Sequence, residues 1–530
     1  MTRRSKGKGQ RAKVFALCLF AFGLLGCAKS PPALAPNLDP LQQLKQDIAA
    51  AAMSPGVQRA AWGIVVHSLD RNERLFELNP RTLLVPASAA KLVSLATAVD
   101  AVGWDFRFET TVRATAPVVD GTLQGDLFIV GSGDPSIGGR GGQELSSWVD
   151  DLKALGVRRI DGRIIGDDDA VEEPRPQLAW AWDDLGYATG VLFGALNLSE
   201  NRMAVTVNPA VSAGDRPTFS VEPYAWSRPL RNRTLTGAPG SPQLLWPEQR
   251  PGEPFLTIAG SIPAGAAPAQ LLVSVGNPTL WFATVLRHAL VTAGIDVTGE
   301  AYDLDDLASR PEWNTSTVLY TYRSPTLAEI AQPLLKNSIN LYGEAALRLN
   351  AARGVVPTND AALEGVRMRL AAWGIPLDGW QIVDGSGLSR RNAVAPEVLV
   401  AILQRMYDPS SASPWMMGLP IAGRDGTLAG RMKGTPAEDN VRAKTGTMSN
   451  IRTLAGYVRT RDGEALAFAI MADNFEGAGG AATEAIDRIA VRLASFSRDP
   501  RSTAATPRAT GDTEFSGFAA TGAVMLAIVP

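Results

Sequence analysis

Helical and strand patterns lie at both ends of the 530-residue chain, and a long stretch of short β-like segments separates them. Between about Phe106 and Leu307 the apolar runs are brief and are interrupted by Gly and Pro, which is typical of β-rich domains. On either side of this stretch, apolar residues recur at helical spacing and alternate with strand-like runs. The sequence therefore predicts one α/β domain built from both chain ends and interrupted by a large, mainly β insertion of one or two domains.

The same changes in composition suggest segment boundaries. A chain of this length is too long for one ordinary domain. The predicted segments are a signal peptide, a Pro-rich tether, the first part of the α/β domain, the insertion, the second part of the α/β domain and a disordered tail rich in Ser, Thr, Ala and Pro. In chain order they cover residues 1–26, 27–40, 41–105, 106–319, 320–496 and 497–530.

Individual elements can be predicted in the two end segments. Helical patterns cover residues 41–52, 326–351, 360–373, 396–406 and 482–493, and a further helix is expected to follow Pro86, pass through Ser88 and end near Val102. Strand patterns cover residues 61–66, 74–78, 453–458 and 465–471. The first two strands are expected to form an antiparallel pair, because a turn-like Asp-Arg-Asn-Glu segment joins them.

The N-terminus has the pattern of an export signal. Six basic residues precede the apolar run Val14–Gly26, which is too short to span a bilayer comfortably. The run ends in Leu-Leu-Gly-Cys27, which resembles a bacterial lipobox, in which the cysteine becomes acylated. The alternative is an ordinary signal peptide with an incidental cysteine. We expect an exported protein on the periplasmic side of the cell envelope, lipid-anchored through Cys27, at the outer membrane if the cell has two membranes.

Composition excludes several classes of function. Without residues 1–26 the chain has 45 basic (51 − 6) and 53 acidic residues and no basic stripe, so nucleic-acid binding is not expected. The two cysteines lie at positions 18 and 27, which leaves none for a disulfide, a zinc site or a cysteine nucleophile in the mature domains. His67 and His288 belong to no metal motif and fit a core strand and an amphipathic helix. We therefore expect no metal or organic cofactor, and a serine enzyme would need a base other than histidine.

Three short motifs carry the chemistry, in the order Ser88-Ala-Ala-Lys91, Ser338-Ile-Asn340 and Lys444-Thr445-Gly446. At the start of a helix, i, i+3 spacing puts Ser88 and Lys91 on one face, and the unpaired N–H groups there favour an oxyanion. A buried lysine near another cation can lose its proton near neutral pH and serve as the base. Each motif alone is weak, since Ser5–Lys8 and Ser199–Asn201 match two of them elsewhere. Their order and their helical or strand context make the combination specific.

These residues are a signature of penicillin-binding proteins and class A β-lactamases. The chain resembles the class C low-molecular-mass penicillin-binding proteins, which are serine D-Ala-D-Ala carboxypeptidases and endopeptidases, over roughly residues 42–495. The similar blocks are 86–92, 103–110, 131–136, 384–390, 419–428 and 441–447. The 250 positions between Ser88 and Ser338 also fit this family, which has inserted domains there, whereas class A enzymes keep the motifs closer.

The resemblance implies a role for each motif residue. Ser88 would be the nucleophile and Lys91 its base, Ser338 would pass the proton to the leaving amine, and Asn340 would hold the substrate amide. Lys444 and Thr445 would bind the terminal carboxylate of the peptide, Gly446 would let the substrate backbone approach, and the N–H groups of Ser88 and Thr447 would form the oxyanion hole. The expected substrates are peptidoglycan stem peptides, and β-lactams are expected to acylate Ser88.

Asp184 is a weaker candidate for substrate binding. It ends a Trp-Ala-Trp-Asp-Asp segment, and the family has a similar segment at the mouth of its active site. Asp184 would receive the ammonium group of the diamino acid in the stem peptide. The alternative is a solvated loop acid beside a buried tryptophan.

Two other classes of function remain as alternatives. A β-lactamase or esterase of the same superfamily generally has tyrosine at the position of Ser338, so Ser338 argues against it. A pseudoenzyme that binds peptidoglycan or an envelope partner would not need the complete set of catalytic side chains found here. The oligomeric state, the diamino acid and the balance of carboxypeptidase to endopeptidase activity stay open.

Overall fold

The computed structural model describes residues 39–499 except 141, 223–228, 251, 311–315, 411 and 478. Helices α1–α10 are Pro40–Ala52, Ala90–Val102, Leu145–Ala154, Pro278–Thr292, Leu327–Lys336, Asn340–Arg348, Asn359–Ala372, Pro396–Met406, Pro414–Gly418 and Gly480–Ala494. Strands β1–β8 are Ala61–Ser68, Glu73–Leu78, Glu109–Ala114, Val118–Val119, Thr122–Leu123, Leu127–Val130, Arg159–Ile160 and Ile164–Asp167. Strands β9–β16 are Arg202–Asn208, Thr218–Glu222, Leu230–Gly237, Leu244–Glu248, Leu256–Pro263, Ala269–Ser274, Asp296–Val297 and Ala301–Asp303. Strands β17–β22 are Thr317–Arg323, Trp380–Gln381, Ala393–Val394, Arg442–Met448, Ile451–Arg459 and Ala465–Asp473.

The principal sheet joins the two ends of the chain. Its order is β2-β1-β22-β21-β20, and every neighbouring pair is antiparallel. Both faces are buried: on β22, Leu466, Phe468 and Ile470 pack with α1 and α10, whereas Ala469 and Met471 face the helices that carry the site. This alternation follows from the two-residue period of a strand. The predicted α/β domain built from both chain ends is confirmed.

The insertion holds most of the remaining sheet structure. It contains the orders β16-β8-β6-β3-β17, β15-β7-β5-β4, β10-β9-β14 and β11-β13-β12, with α4 packed on β8 and β16. Strands β3 and β17 pair antiparallel, so the chain leaves the α/β domain and returns to it side by side. The predicted insertion boundary at 319/320 falls inside β17, and the domain limits stay predictions.

Two predicted elements differ from the structure. The helical pattern over residues 326–351 is two helices, α5 and α6, because Ser338 between them has a left-handed φ of 59° that a continuous helix does not allow. The helix expected to pass through Ser88 begins as a 3-10 turn, Ala87–Ala89, and becomes α-helical only at Ala90. Both corrections fall at the motif serines, where the backbone departs from regular geometry.

Candidate active site

The Ser88 turn lies between the sheet and helix α2. Ser88 is half-buried, and Ala87 before it has a left-handed φ of 46°. The backbone N–H of Val85 donates to the Asp473 carboxylate over 2.7 Å, which ties the approach to the turn to the end of β22. A Cβ on Gly387 would lie 2.0 Å from the Ala87 carbonyl oxygen, so this position needs glycine on steric grounds. The serine is thus held at a helix N-terminus by close backbone contacts.

Lys91 lies one helical turn further along, fully buried beneath the serine. Its Nζ contacts Ser88 Oγ at 3.0 Å, Asn340 Oδ1 at 2.7 Å and the carbonyl oxygen of Ser386 at 2.5 Å. Burial lowers the pKa of Lys91 to about 7, and the carboxylates of Asp384 and Glu344 oppose the decrease. A substantial fraction of this amine is therefore neutral near pH 7 and can accept the proton of Ser88.

Ser338 and Asn340 reach the two lysines from the break between α5 and α6. Lys444 Nζ donates to Ser338 Oγ over 2.7 Å, and Asn340 accepts from Lys91 while its amide donates to the Thr189 carbonyl over 2.8 Å. The left-handed conformation of Ser338 separates it from α6, on which Asn340 is the first residue. Asn340 therefore contacts Lys91 and Ser338 contacts Lys444, so each polar residue of the predicted Ser-x-Asn motif lies against one of the two buried lysines.

Strand β20 forms the edge of the principal sheet next to the Ser88 turn. Lys444 on this strand is buried, and its pKa lies well below its ordinary value because of burial and of the nearby Lys91. Thr445 Oγ1 donates to Thr427 Oγ1 over 2.7 Å. A Cβ on Gly446 would lie 2.4 Å from the Pro86 carbonyl oxygen, so glycine permits the contact between strand and turn. Thr447 is exposed on the edge strand, next to this contact.

Sequence reasoning missed the buried acids below Lys91. Asp384 is completely buried and accepts four hydrogen bonds, from Trp180 Nε1 and Asn392 Nδ2 (2.8 Å each) and from the N–H groups of Gly387 and Ser389 (2.7 Å each). Glu344 accepts from the N–H groups of residues 385 and 386. The Asp-Gly-Ser-Gly sequence at 384–387 belongs to one of the blocks similar to the family, but nothing in the local sequence distinguishes Glu344 from an ordinary helix charge, because its partners lie 41 and 42 positions away.

Asp184 lies in the 3-10 turn Trp182–Asp184 of the inserted region and is half-buried. Burial raises its pKa, Asp183 raises it further, and the guanidinium of Arg390 lowers it. Thr189 follows five residues later and contacts Asn340, so this segment reaches the motif residues. The structure brings the segment, rather than Asp184 itself, into hydrogen-bond contact with the predicted site.

The remaining observations concern residues outside the three motifs. Cys27 falls outside the described residues. Within the described ranges, no helix is long and apolar enough to cross a membrane. Asp168, Asp169, Glu173 and Asp305 form a carboxylate cluster in the insertion, where Arg310 pairs with Asp169 and Asp305. None of these four acids is a motif residue.

The sequence and the fold are similar to those of known proteins. The sequence matches the D-Ala-D-Ala carboxypeptidase 3 (S13) family over residues 44–495. It is 34% identical over 514 residues to a D-alanyl-D-alanine carboxypeptidase of Actinomadura sp. (strain R39), covering 93% of this chain and 92% of that protein. It is 27% identical to a penicillin-sensitive carboxypeptidase A of Dictyostelium discoideum, covering 82% and 87%, respectively. The crystal structure of penicillin binding protein 4 from Haemophilus influenzae has the same fold, with a TM-score of 0.72, 23% identity, and coverage of 86% of this chain and 98% of that one. The chain belongs to the S13 family of D-Ala-D-Ala carboxypeptidases.

Proposed function

We propose that Ser88 is the nucleophile of a D-Ala-D-Ala carboxypeptidase that acts on peptidoglycan stem peptides through an acyl-enzyme. The observation that carries this assignment is the 3.0 Å contact between Ser88 Oγ and the buried Lys91 Nζ. Ser88 Oγ attacks the penultimate D-alanine carbonyl, and its proton passes to neutral Lys91. The N–H groups of Ser88 and Thr447 would stabilise the oxyanion.

Ser338 and Lys444 supply the second half of the reaction in this proposal. As the peptide C–N bond breaks, the proton held by Lys91 returns to the departing D-alanine amine through Ser338, whose hydroxyl contacts Lys444. Thr445 and Lys444 bind the terminal carboxylate, and Asn340 orients the substrate amide. Water then attacks the Ser88 ester, releases the shortened peptide and restores the serine proton. If the leaving amine belongs to a cross-linked stem, the same steps give D,D-endopeptidase activity.

The decisive test combines substrate cleavage with penicillin labelling of the full chain. Purified protein is expected to release D-alanine from a pentapeptide ending in D-Ala-D-Ala and to form one penicilloyl adduct, mapped to Ser88 by peptide mass. A cross-linked muropeptide measures the endopeptidase activity. Folded protein that releases no D-alanine and leaves penicillin intact and unbound would reject the enzyme assignment and favour a binding role.

The lifetime of the adduct separates this proposal from a β-lactamase. A β-lactam keeps its leaving group tethered, so water reaches the ester slowly in a peptidase. We expect the lifetime of the penicilloyl-enzyme to be much longer than the time that the free enzyme needs for one peptide turnover. Catalytic hydrolysis of penicillin, measured as the loss of its absorbance, would instead support the β-lactamase alternative.

We also propose that Asp184 binds the side-chain ammonium group of the diamino acid. It is supported by the half-buried carboxylate and by the contact of its segment with Asn340. Asp184→Asn is expected to lower kcat/KM about tenfold for a peptide with a free ε-ammonium group, the size of a single lost charge contact. Activity on the ε-acetylated peptide should not change. Asp183→Asn, at an exposed neighbouring acid, is the matched control, and equal loss on both peptides would contradict the assignment.

Export and lipid anchoring through Cys27 complete the proposal. They are supported by the basic and apolar N-terminal pattern, by the lipobox-like sequence and by a family whose substrate lies outside the cytoplasm. Incorporation of labelled palmitate into the wild type but not into Cys27→Ser would support the anchor. Equal labelling of the two proteins, or labelling of neither, would contradict it.

A further inference from the structure

We propose that Glu344 is a positioning residue, whose buried carboxylate holds the Ser386 carbonyl against Lys91 and thereby orients the amine toward Ser88. This inference rests on the proposed role of Lys91 as the base. Glu344 lies on α6, one helical turn after Asn340, and only 1% of it is exposed. It touches neither Ser88 nor Lys91 through a hydrogen bond in the described contacts.

The contacts form a continuous path from Glu344 to the nucleophile. The carboxylate of Glu344 accepts from Ser386 N over 2.9 Å and from Gly385 N over 3.2 Å. The Ser386 carbonyl accepts from Lys91 Nζ over 2.5 Å, and Nζ contacts Ser88 Oγ. Glu344 therefore holds the loop at 385–386 in place, and the Ser386 carbonyl of that loop holds the Lys91 amine in place.

Two glycines make this arrangement possible. A Cβ on Gly385 would lie 2.2 Å from the Gly343 carbonyl oxygen, and one on Gly343 would lie 2.9 Å from the Gly385 carbonyl oxygen. The loop and helix α6 thus approach through backbone on both sides, which brings Glu344 within reach of the loop N–H groups. A side chain at either glycine would therefore push the loop and the helix apart.

The charges around Lys91 give Glu344 a second, measurable effect. The charged groups that affect Lys91 or its neighbours are Asp384 in the loop, Glu344 on α6 and Lys444 on β20. Arg348 on α6 forms ion pairs with Glu344 at 3.9 Å and with Glu172 at 3.8 Å. At the far end of α2, Asp100 pairs with Arg369 of α7. Burial and the carboxylate of Asp384 raise the pKa of Glu344, whereas Arg348 and the N–H groups of the loop lower it. Where Glu344 is ionised it favours protonated Lys91, so removing its charge should lower the pKa of Lys91 further.

Two variants separate the position of the carboxylate from its charge. Glu344→Gln loses one acceptor oxygen and the charge, whereas Glu344→Asp keeps the charge but is one methylene shorter. Acylation by a fluorescent penicillin is measured from pH 5 to 9. Both variants are expected to lose about ten- to hundredfold in the plateau rate constant, since an error of about 1 Å in a catalytic group has such an effect. The acidic limb of the profile should move about one pH unit lower in Glu344→Gln and stay in place in Glu344→Asp.

The matched control is Glu172→Gln, which removes a carboxylate from the other side of Arg348 without touching the loop at 385–386. It is expected to keep the wild-type plateau and limb. Thermal denaturation checks that each variant folds, and Glu344→Asp decides the question if Glu344→Gln does not fold. A wild-type profile in a folded Glu344 variant would overturn the inference. If the wild type itself is not acylated, the proposed function fails instead, so the two failures are distinguishable.

Discussion

Replacement of Ser88 by alanine is expected to abolish the penicilloyl adduct and to reduce D-alanine release by at least about a thousandfold, because no ester can form without the hydroxyl. Stability should change little: the side chain is half-buried, and the substitution removes one oxygen that contacts Lys91. Binding of intact substrate should persist, because Lys444, Thr445 and Asn340 are unchanged. Intact mass after incubation with penicillin, and D-alanine quantification, measure the two losses.

The control for this variant is Ser495→Ala, at the C-terminal end of α10. That hydroxyl donates to the Arg492 carbonyl, and α10 belongs to the cluster on the opposite side of the sheet from the Ser88 turn. The control should be acylated like the wild type. A Ser88→Ala protein that still forms a stable adduct, at any other serine, would remove Ser88 from the mechanism while leaving the family assignment intact.

The proximity of Ser88 and Lys91 could be predicted from sequence because it depends on local helical geometry. Ser88 and Lys91 are separated by three positions on a helix start, and the helical pattern of residues 90–102 is strong enough to place them on one face. The principal sheet was also predictable in outline, because β1 and β22 are mostly apolar and β21 has a short, mainly apolar segment from Leu454 to Val458. Both features can be recognised from the spacing of residues within a single helix or strand, without knowledge of its contacts with distant segments.

What sequence reasoning could not supply depends on distant contacts. The break at Ser338 was missed because the apolar period of residues 326–351 continues across it. Ser338 has a left-handed conformation there and accepts a hydrogen bond from Lys444, which lies 106 positions later in the chain. Glu344, Thr189 and Thr427 contact the site through partners 18 to 151 positions away in the chain. No local pattern encodes such pairings. An acid four residues after Asn340 has the appearance of an ordinary surface helix charge until the loop at 385–386 is found against it.

Replacement of Lys91 by methionine is expected to lower the acylation rate constant by about a hundred- to ten-thousandfold, the usual contribution of a general base. Methionine roughly conserves the volume of this fully buried side chain, so the change tests the amine rather than a cavity. The wild-type rate should rise with pH through about 7, because the amine accepts a proton only when neutral and its pKa is about 7. In Lys91→Met this acidic limb should disappear, leaving a low rate with weak pH dependence.

Two buried lysines lie in this site, so the limb must be assigned to one of them. Lys444→Met is expected to weaken binding of the substrate carboxylate while keeping an acidic limb, because Lys91 remains. Lys433→Met, at an exposed lysine on the segment before β20, controls for loss of a positive charge and should behave as the wild type. If Lys91→Met retains the limb and Lys444→Met loses it, Lys444 is the base that titrates, and the proton must then leave Ser88 through Ser338, which Lys444 contacts at 2.7 Å. If both variants retain the limb, neither amine is the titrating base and the lysine mechanism is rejected.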